Sequence, residues 1–214
     1  YKRQVNEYIH VEKPDQEAVP SRQFDISKID FELLSREFAH TRRKNLLLRD
    51  LDELVNQQLA KMLFANPQRI DYYDRYQEII DAYNAEQNRA TIEKTFMDLM
   101  ELASSLDTEQ QRYVREGFSS DEELSVYDLL FSENLTKQEI ETIKKVSVDL
   151  LIKIKQQIAK LDHWTDKQET KAIVDNLIRN TLWQELPNSY DVSDIQTYQK
   201  KIYEYVYMRY PEVA

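Results

Sequence analysis

The sequence predicts an all-α protein, an irregular bundle of about eight or nine helices, and three observations carry that expectation. The first is glycine poverty. A single Gly and 5 Pro in 214 residues leave almost nothing for tight hairpins, phosphate-cradling loops or Rossmann turns. Those structures need glycine where φ is positive or where backbone must approach a ligand closely. The second is apolar residues recurring at helical spacing along most of the chain. The third is a series of helix-start signals, each an oxygen side chain with Glu or Gln three residues later. They fall at Thr108/Gln111, Ser120/Glu123, Thr136/Glu139 and Thr165/Gln168. An aromatic content of 11%, with 14 Tyr, supplies the bulk that disordered chains lack.

Residues 1–28 read as a linker, or as a tail from an upstream domain. Pro14 and Pro20 break any helix there, and Val5, Ile9 and Val11 support one short strand at most. A chain that begins in this way, without Met, is expected to be a fragment. Residues 29–214 read as a C-terminal helical domain. Asp30 is placed to cap a short helix with Phe31, Leu34 and Phe38 on one face. A second helix is expected from Asn45 to Phe64, its stripe formed by Leu47, Leu51, Leu54, Leu59 and Leu63. It should stop at Asn66-Pro67, because the residue before proline avoids helical geometry. A third helix from Asp71 presents Tyr72, Tyr76, Ile79, Ile80 and Tyr83, and a fourth spans Thr91 to Leu106. Thr108 is expected to open a further helix that ends at the only glycine, Gly117, in a left-handed C-cap. After Thr136 comes the longest stripe, Ile140 through Ile154 to Leu161. Helices over Asp166–Trp183 and Ser193–Arg209 complete the set. Trp164 reads as a residue packing onto the helix after it, and the C-terminal tyrosines exceed what one buried face can hold.

Charge is unevenly placed. The net charge is -10, yet from Asp71 to Leu135 there are 16 Asp/Glu against 5 Lys/Arg, a net of -11. The rest of the chain therefore carries +1. Just before the acidic third lies a basic cluster of Arg36, Arg42, Arg43, Lys44 and Arg49, with Glu37 its one acid. Such a cluster is either a solvated helix face or a one-sided contact with phosphates or with an acidic protein.

Catalytic signatures are scarce. One glycine rules out a P-loop and a nucleophile elbow. His10, His40 and His163 are scattered without metal-ligand spacing, and 0 Cys excludes thiolate chemistry and disulfides. Pro14-Asp15 and Glu169-Thr170-Lys171 spell the letters of a metal-dependent nuclease core, but far apart and without a strand pattern. Glu122/Glu123 and similar pairs are common in acidic helices, and spacing alone gives them no acid–base role. No catalytic, cofactor-binding or metal-ligating residue is assigned. Apolar runs fall short of the roughly 20 residues of a membrane span, so a soluble, cytoplasmic protein without membrane contact is expected.

Several segments, in order, carry a resemblance to a known family. They are Asp30-Phe31-Glu32-Leu33-Leu34, Arg43-Lys44-Asn45, Asn66-Pro67-Gln68-Arg69, Tyr76-Gln77-Glu78-Ile79-Ile80 and Tyr83-Asn84. Gln111 to Gly117, Glu123 to Leu130, Trp164 with Lys167-Gln168, Leu186-Pro187 with Tyr190, and Val206-Tyr207 with Tyr210 continue the pattern. From Phe24 to Tyr210 the chain resembles the C-terminal region of type I restriction enzyme R subunits. The resemblance implies a parent subunit with an Mg²⁺-dependent nuclease domain and two ATP-driven DNA motor domains. It implies partners as well: the M and S subunits of the methyltransferase core, the upstream motor domains, and DNA through the complex. ATP and Mg²⁺ would belong to that parent and not to this segment. The function implied is docking of the translocase/endonuclease onto the methyltransferase core. The alternative is a DNA-contacting module that uses the Arg36–Arg49 cluster.

Overall fold

In a computed structural model the described residues are 30–86 and 88–211, and the linker expected over residues 1–28 lies outside them. Among the described residues there are nine α-helices, one 3₁₀ turn and no strand, which agrees with the all-α expectation. The helices are α1 (Phe31–His40), α2 (Lys44–Ala65), α3 (Ile70–Ala85), α4 (Arg89–Gln110), α5 (Arg112–Arg115) and α6 (Asp121–Leu130). They continue with α7 (Lys137–Ile158), α8 (Gln168–Glu185) and α9 (Val192–Arg209). None is long and apolar enough to cross a membrane.

The apolar stripes collect into two cores. In the first, α2 and α3 pack on α4, and α1 closes one end by stacking Phe38 on Phe96 with ring centroids 3.6 Å apart. In the second, α6 and α8 pack on α7, while α9 lies against α8 and α6. Ile143, Leu150 and Ile154 of α7 are fully buried there. Each contributes about 1.5–3 kcal/mol of apolar burial. The buried line of α2 is Leu48, Leu51, Val55, Leu59 and Met62. Leu47, Leu54 and Leu63, expected on that line, flank it half-buried. The expected stripe marked the right helix and two of its buried residues, Leu51 and Leu59, while the 48–51–55–59–62 spacing is the one that keeps a single edge against α4.

Some of the start signals cap helices and others do not. Asp30 accepts the Leu33 N–H at 2.9 Å, and Thr136 and Glu139 form a complete reciprocal box. Ser120 caps α6, with Glu123 taking the preceding Ser119 N–H at 2.8 Å. Thr108 does not open a helix. Its hydroxyl donates to Ser104 O at 3.1 Å, and α4 runs through it, because Ala103, Leu106 and Glu109 keep one buried face going. Thr165 is also no cap; its hydroxyl reaches Pro211 O at 3.3 Å, and α8 begins at Gln168 without a side-chain cap. Gly117 holds φ +84°, and the Gly117 and Phe118 N–H groups return to Val114 O and Tyr113 O, the paired bonds of a Schellman turn. Trp164 is buried and donates its indole N–H to Tyr210 O at 2.6 Å, pinning the end of α9.

Candidate functional site

Between the two cores runs a charged seam. The chain leaves α2 at Asn66, whose side chain accepts the Gln68 N–H at 3.1 Å and so shapes the 3₁₀ turn Pro67–Arg69. That turn aims Arg69 into the interior. Its Nε donates to Glu109 of α4 at 3.0 Å, and its fork holds both oxygens of Asp121 of α6 at 3.0 and 2.6 Å. Arg112 of α5 bridges Glu109 and Asp128, and Asn66 Nδ2 donates to Asp128 at 2.6 Å. Ser125 Oγ donates to Ala65 O at 2.9 Å. Burial pushes the Asp128 carboxyl above its ordinary range, although Arg112 and Asn66 pull it down. For Arg69 burial works against the charge, and Asp121 with Glu109 outweighs it.

The basic cluster sits at the other end of α2, where α1 turns into it, and its members differ. Lys44 is structural: its ammonium donates to Glu93 of α4 at 2.6 Å and stands 4.9 Å from the Phe38 ring centroid. That bond, with a second from Arg89 Nε at 3.2 Å, holds the Glu93 carboxyl below its usual range. Arg36 pairs with Glu32 at 3.5 Å and Arg49 with Asp50 at 3.8 Å, both in solvent, where such pairs are worth little. Arg42 and Arg43 are exposed on the turn and have no ion-pair partner among the described residues. The Arg43 backbone N–H bonds Thr41 Oγ1 at 3.1 Å, which fixes the turn. The five residues therefore share one corner, with two of the arginines open to a partner.

The remaining candidates have local duties. Glu169-Thr170-Lys171 forms the first turn of α8, where Thr170 Oγ1 donates to Trp164 O at 2.7 Å and Lys171 stands over the Tyr207 ring. Pro14-Asp15 and His10 lie outside the described residues. His40 is exposed in the last turn of α1, and His163 Nδ1 lies 2.6 Å from Asp162 Oδ1. Glu122 pairs with Lys155 and Arg209 across the second core's edge, and Glu123 is spent on its cap. Among the described residues no group of His, Cys, Asp and Glu is placed to hold a metal ion.

The seam is the feature that reading the sequence missed. Asn66, Arg69, Arg112 and Asp128 all occur in the segments that carry the family resemblance, so a signal was present without its pairing. No curated protein and no solved structure matches the chain. A family model described as type I restriction enzyme HindI endonuclease subunit-like, C-terminal, matches residues 17–210. With that span covering every helix from α1 to α9, the chain belongs to the family of C-terminal domains of HindI-like type I restriction enzyme endonuclease subunits.

Proposed function

We propose that this domain is an assembly module, docking the ATP-dependent translocase and endonuclease of its parent subunit onto the M and S subunits of a methyltransferase core. The observation that carries the reading is the corner at the α1–α2 turn. Membership in a family of C-terminal domains from endonuclease subunits supplies the context, and Arg42 and Arg43 supply two exposed cations without an ion-pair partner among the described residues. A rigid helical corner with open guanidinium groups suits recognition of carboxylates, which arginine binds through paired N–H donors. ATP and Mg²⁺ serve the parent's motor and nuclease parts in this reading, and DNA is reached through the complex. The experiment is binding of the full-length subunit to purified methyltransferase core, with and without Arg42→Glu and Arg43→Glu. Loss of binding on charge reversal is expected; unaltered binding refutes this use of the corner.

The same exposed arginines give the DNA-contacting alternative its observation. Two or three phosphate contacts, from Arg42, Arg43 and Arg49, would make log K fall against log salt with a slope of about -2 to -3. Charge reversal would then weaken all DNA sequences alike, since phosphate contacts carry no sequence information.

A further inference from the structure

A cleft of about 240 Å³ opens beside this corner, between the start of α2 and the facing parts of α3 and α4. Leu48, Ile80 and Leu99, with Tyr83 and the buried Thr95, make its floor, and Asn45, Arg49 and Asp52 its rim. One side of the rim is fixed, because Tyr76 Oη donates to Asp52 Oδ1 at 2.8 Å. The other side carries positive potential from three sources. Arg49 stands 73% exposed on the rim. Arg42 and Arg43 project from the turn just before it. The first turn of α2 has neither a side-chain cap nor an acid, so its free N–H groups and helix dipole add to the field.

We propose that the cleft takes one apolar side chain, of leucine to phenylalanine size, from an acidic segment of the methyltransferase core. Arg42, Arg43 and Arg49 meet the carboxylates that flank this anchor. The inference rests on the docking reading and names the partner's chemistry. Size points to a side chain: sites that swallow a whole small ligand start at about 300 Å³. Anatomy points the same way, since interface energy concentrates where one anchor fills a desolvated pocket inside a polar rim. Phosphates fit worse. They need only cations and would leave the largely apolar floor of the cleft unfilled.

The test uses the full-length subunit and purified methyltransferase core in biolayer interferometry at two salt concentrations. Asn45→Trp plugs the cleft from an exposed rim position, and Arg49→Glu changes the rim without touching the floor. Arg42→Glu/Arg43→Glu reverses the field, and Arg179→Glu on the exposed face of α8 is the control. Thermal melting checks that each variant folds. The plug is expected to weaken binding about tenfold or more, chiefly through faster dissociation. The double reversal should slow association and flatten its salt dependence, and the control should bind as wild type. Should the plug and Arg49→Glu both bind like wild type, the cleft is not the anchor, while docking survives on another face. Absence of any wild-type binding to the core would instead remove the docking reading, and this inference with it. Charge reversal that lowers duplex DNA affinity and spares core binding would also overturn the inference, assigning the corner to phosphates.

Discussion

Replacing Arg69 with methionine removes the cation at the centre of the seam while keeping an unbranched chain of similar length. The two acids it serves are not equally exposed to the loss. Glu109 is 8% exposed and keeps its second partner, Arg112 at 3.2 Å. Asp121 is 29% exposed and has room to regain water. Breaking a buried pair by removing one member costs about 3–5 kcal/mol. The partial access of Asp121 and the remaining bond of Glu109 put this case near the lower end, about 3 kcal/mol. For a domain of this size each kcal/mol lowers Tm by about 2–4 °C, so a fall of about 6–12 °C is expected. The assay is urea unfolding followed by far-ultraviolet circular dichroism and by tryptophan fluorescence. Both tryptophans, Trp164 and Trp183, belong to the second half, so fluorescence reports that half and dichroism reports the whole. With the seam weakened, the first core should unfold at lower urea and the two signals should separate. Arg69→Lys should lose less, since it keeps the charge and gives up only the fork. A methionine variant within about 1 kcal/mol of wild type, with coincident transitions, would refute the reasoning.

Thr136→Ala should cost about 1 kcal/mol in chemical denaturation, because it breaks a complete capping box. Thr108→Ala and Thr165→Ala, at signals that cap nothing, should differ from wild type by no more than about 0.5 kcal/mol. Gly117→Ala meets no atom within 4 Å, so its cost is the left-handed φ of +84° alone, about 1 kcal/mol by melting. Hydrogen bonds from the Thr136 hydroxyl and then its backbone N–H lower the Glu139 carboxyl pKa. Its stabilising share is therefore present above the unfolded carboxyl pKa and disappears as pH falls through the lowered folded value. The stability gap between wild type and Glu139→Gln should close on acidification, measured as melting temperature across pH.

Local features of this fold were legible because they are written within one or two turns. The Asp30 cap, the Thr136 box, the break at Asn66-Pro67 and the left-handed Gly117 each depend on residues at most six positions apart. The false boxes at Thr108 and Thr165 show the limit of local signals: the Thr108 hydroxyl bonds back to Ser104 O within α4, and the Thr165 hydroxyl is taken by the distant Pro211 O. A true box at Asp191 and Asp194 departs from the usual pattern, because its third residue is Asp in place of Glu or Gln. The seam was illegible for another reason. Arg69 meets Glu109 and Asp121 across 40 and 52 residues, and among so many acids nothing marks which ones it will meet. At the candidate corner the cluster Arg36 to Arg49 was visible as charge. Its division into a structural Lys44 and open Arg42 and Arg43 needed the position of Glu93 on another helix. The cleft beside it needed three helices at once.

The seam also has a meaning in time. In the second core consecutive helices pack on one another, and in the first α3 packs on α4 with α2 only one helix further back, so these loops close cheaply and early. The bonds that join the cores are the distant ones, from Arg69 to Asp121, from Asn66 to Asp128 and from Ser125 to Ala65, at separations of 52 to 62 residues. During synthesis the first core can complete itself while Arg69 still awaits Asp121, which leaves the ribosome 52 residues later. Glu109, already synthesised with the first core, can hold the cation in that interval, and the pair with Asp121 then ties one helical half to the other.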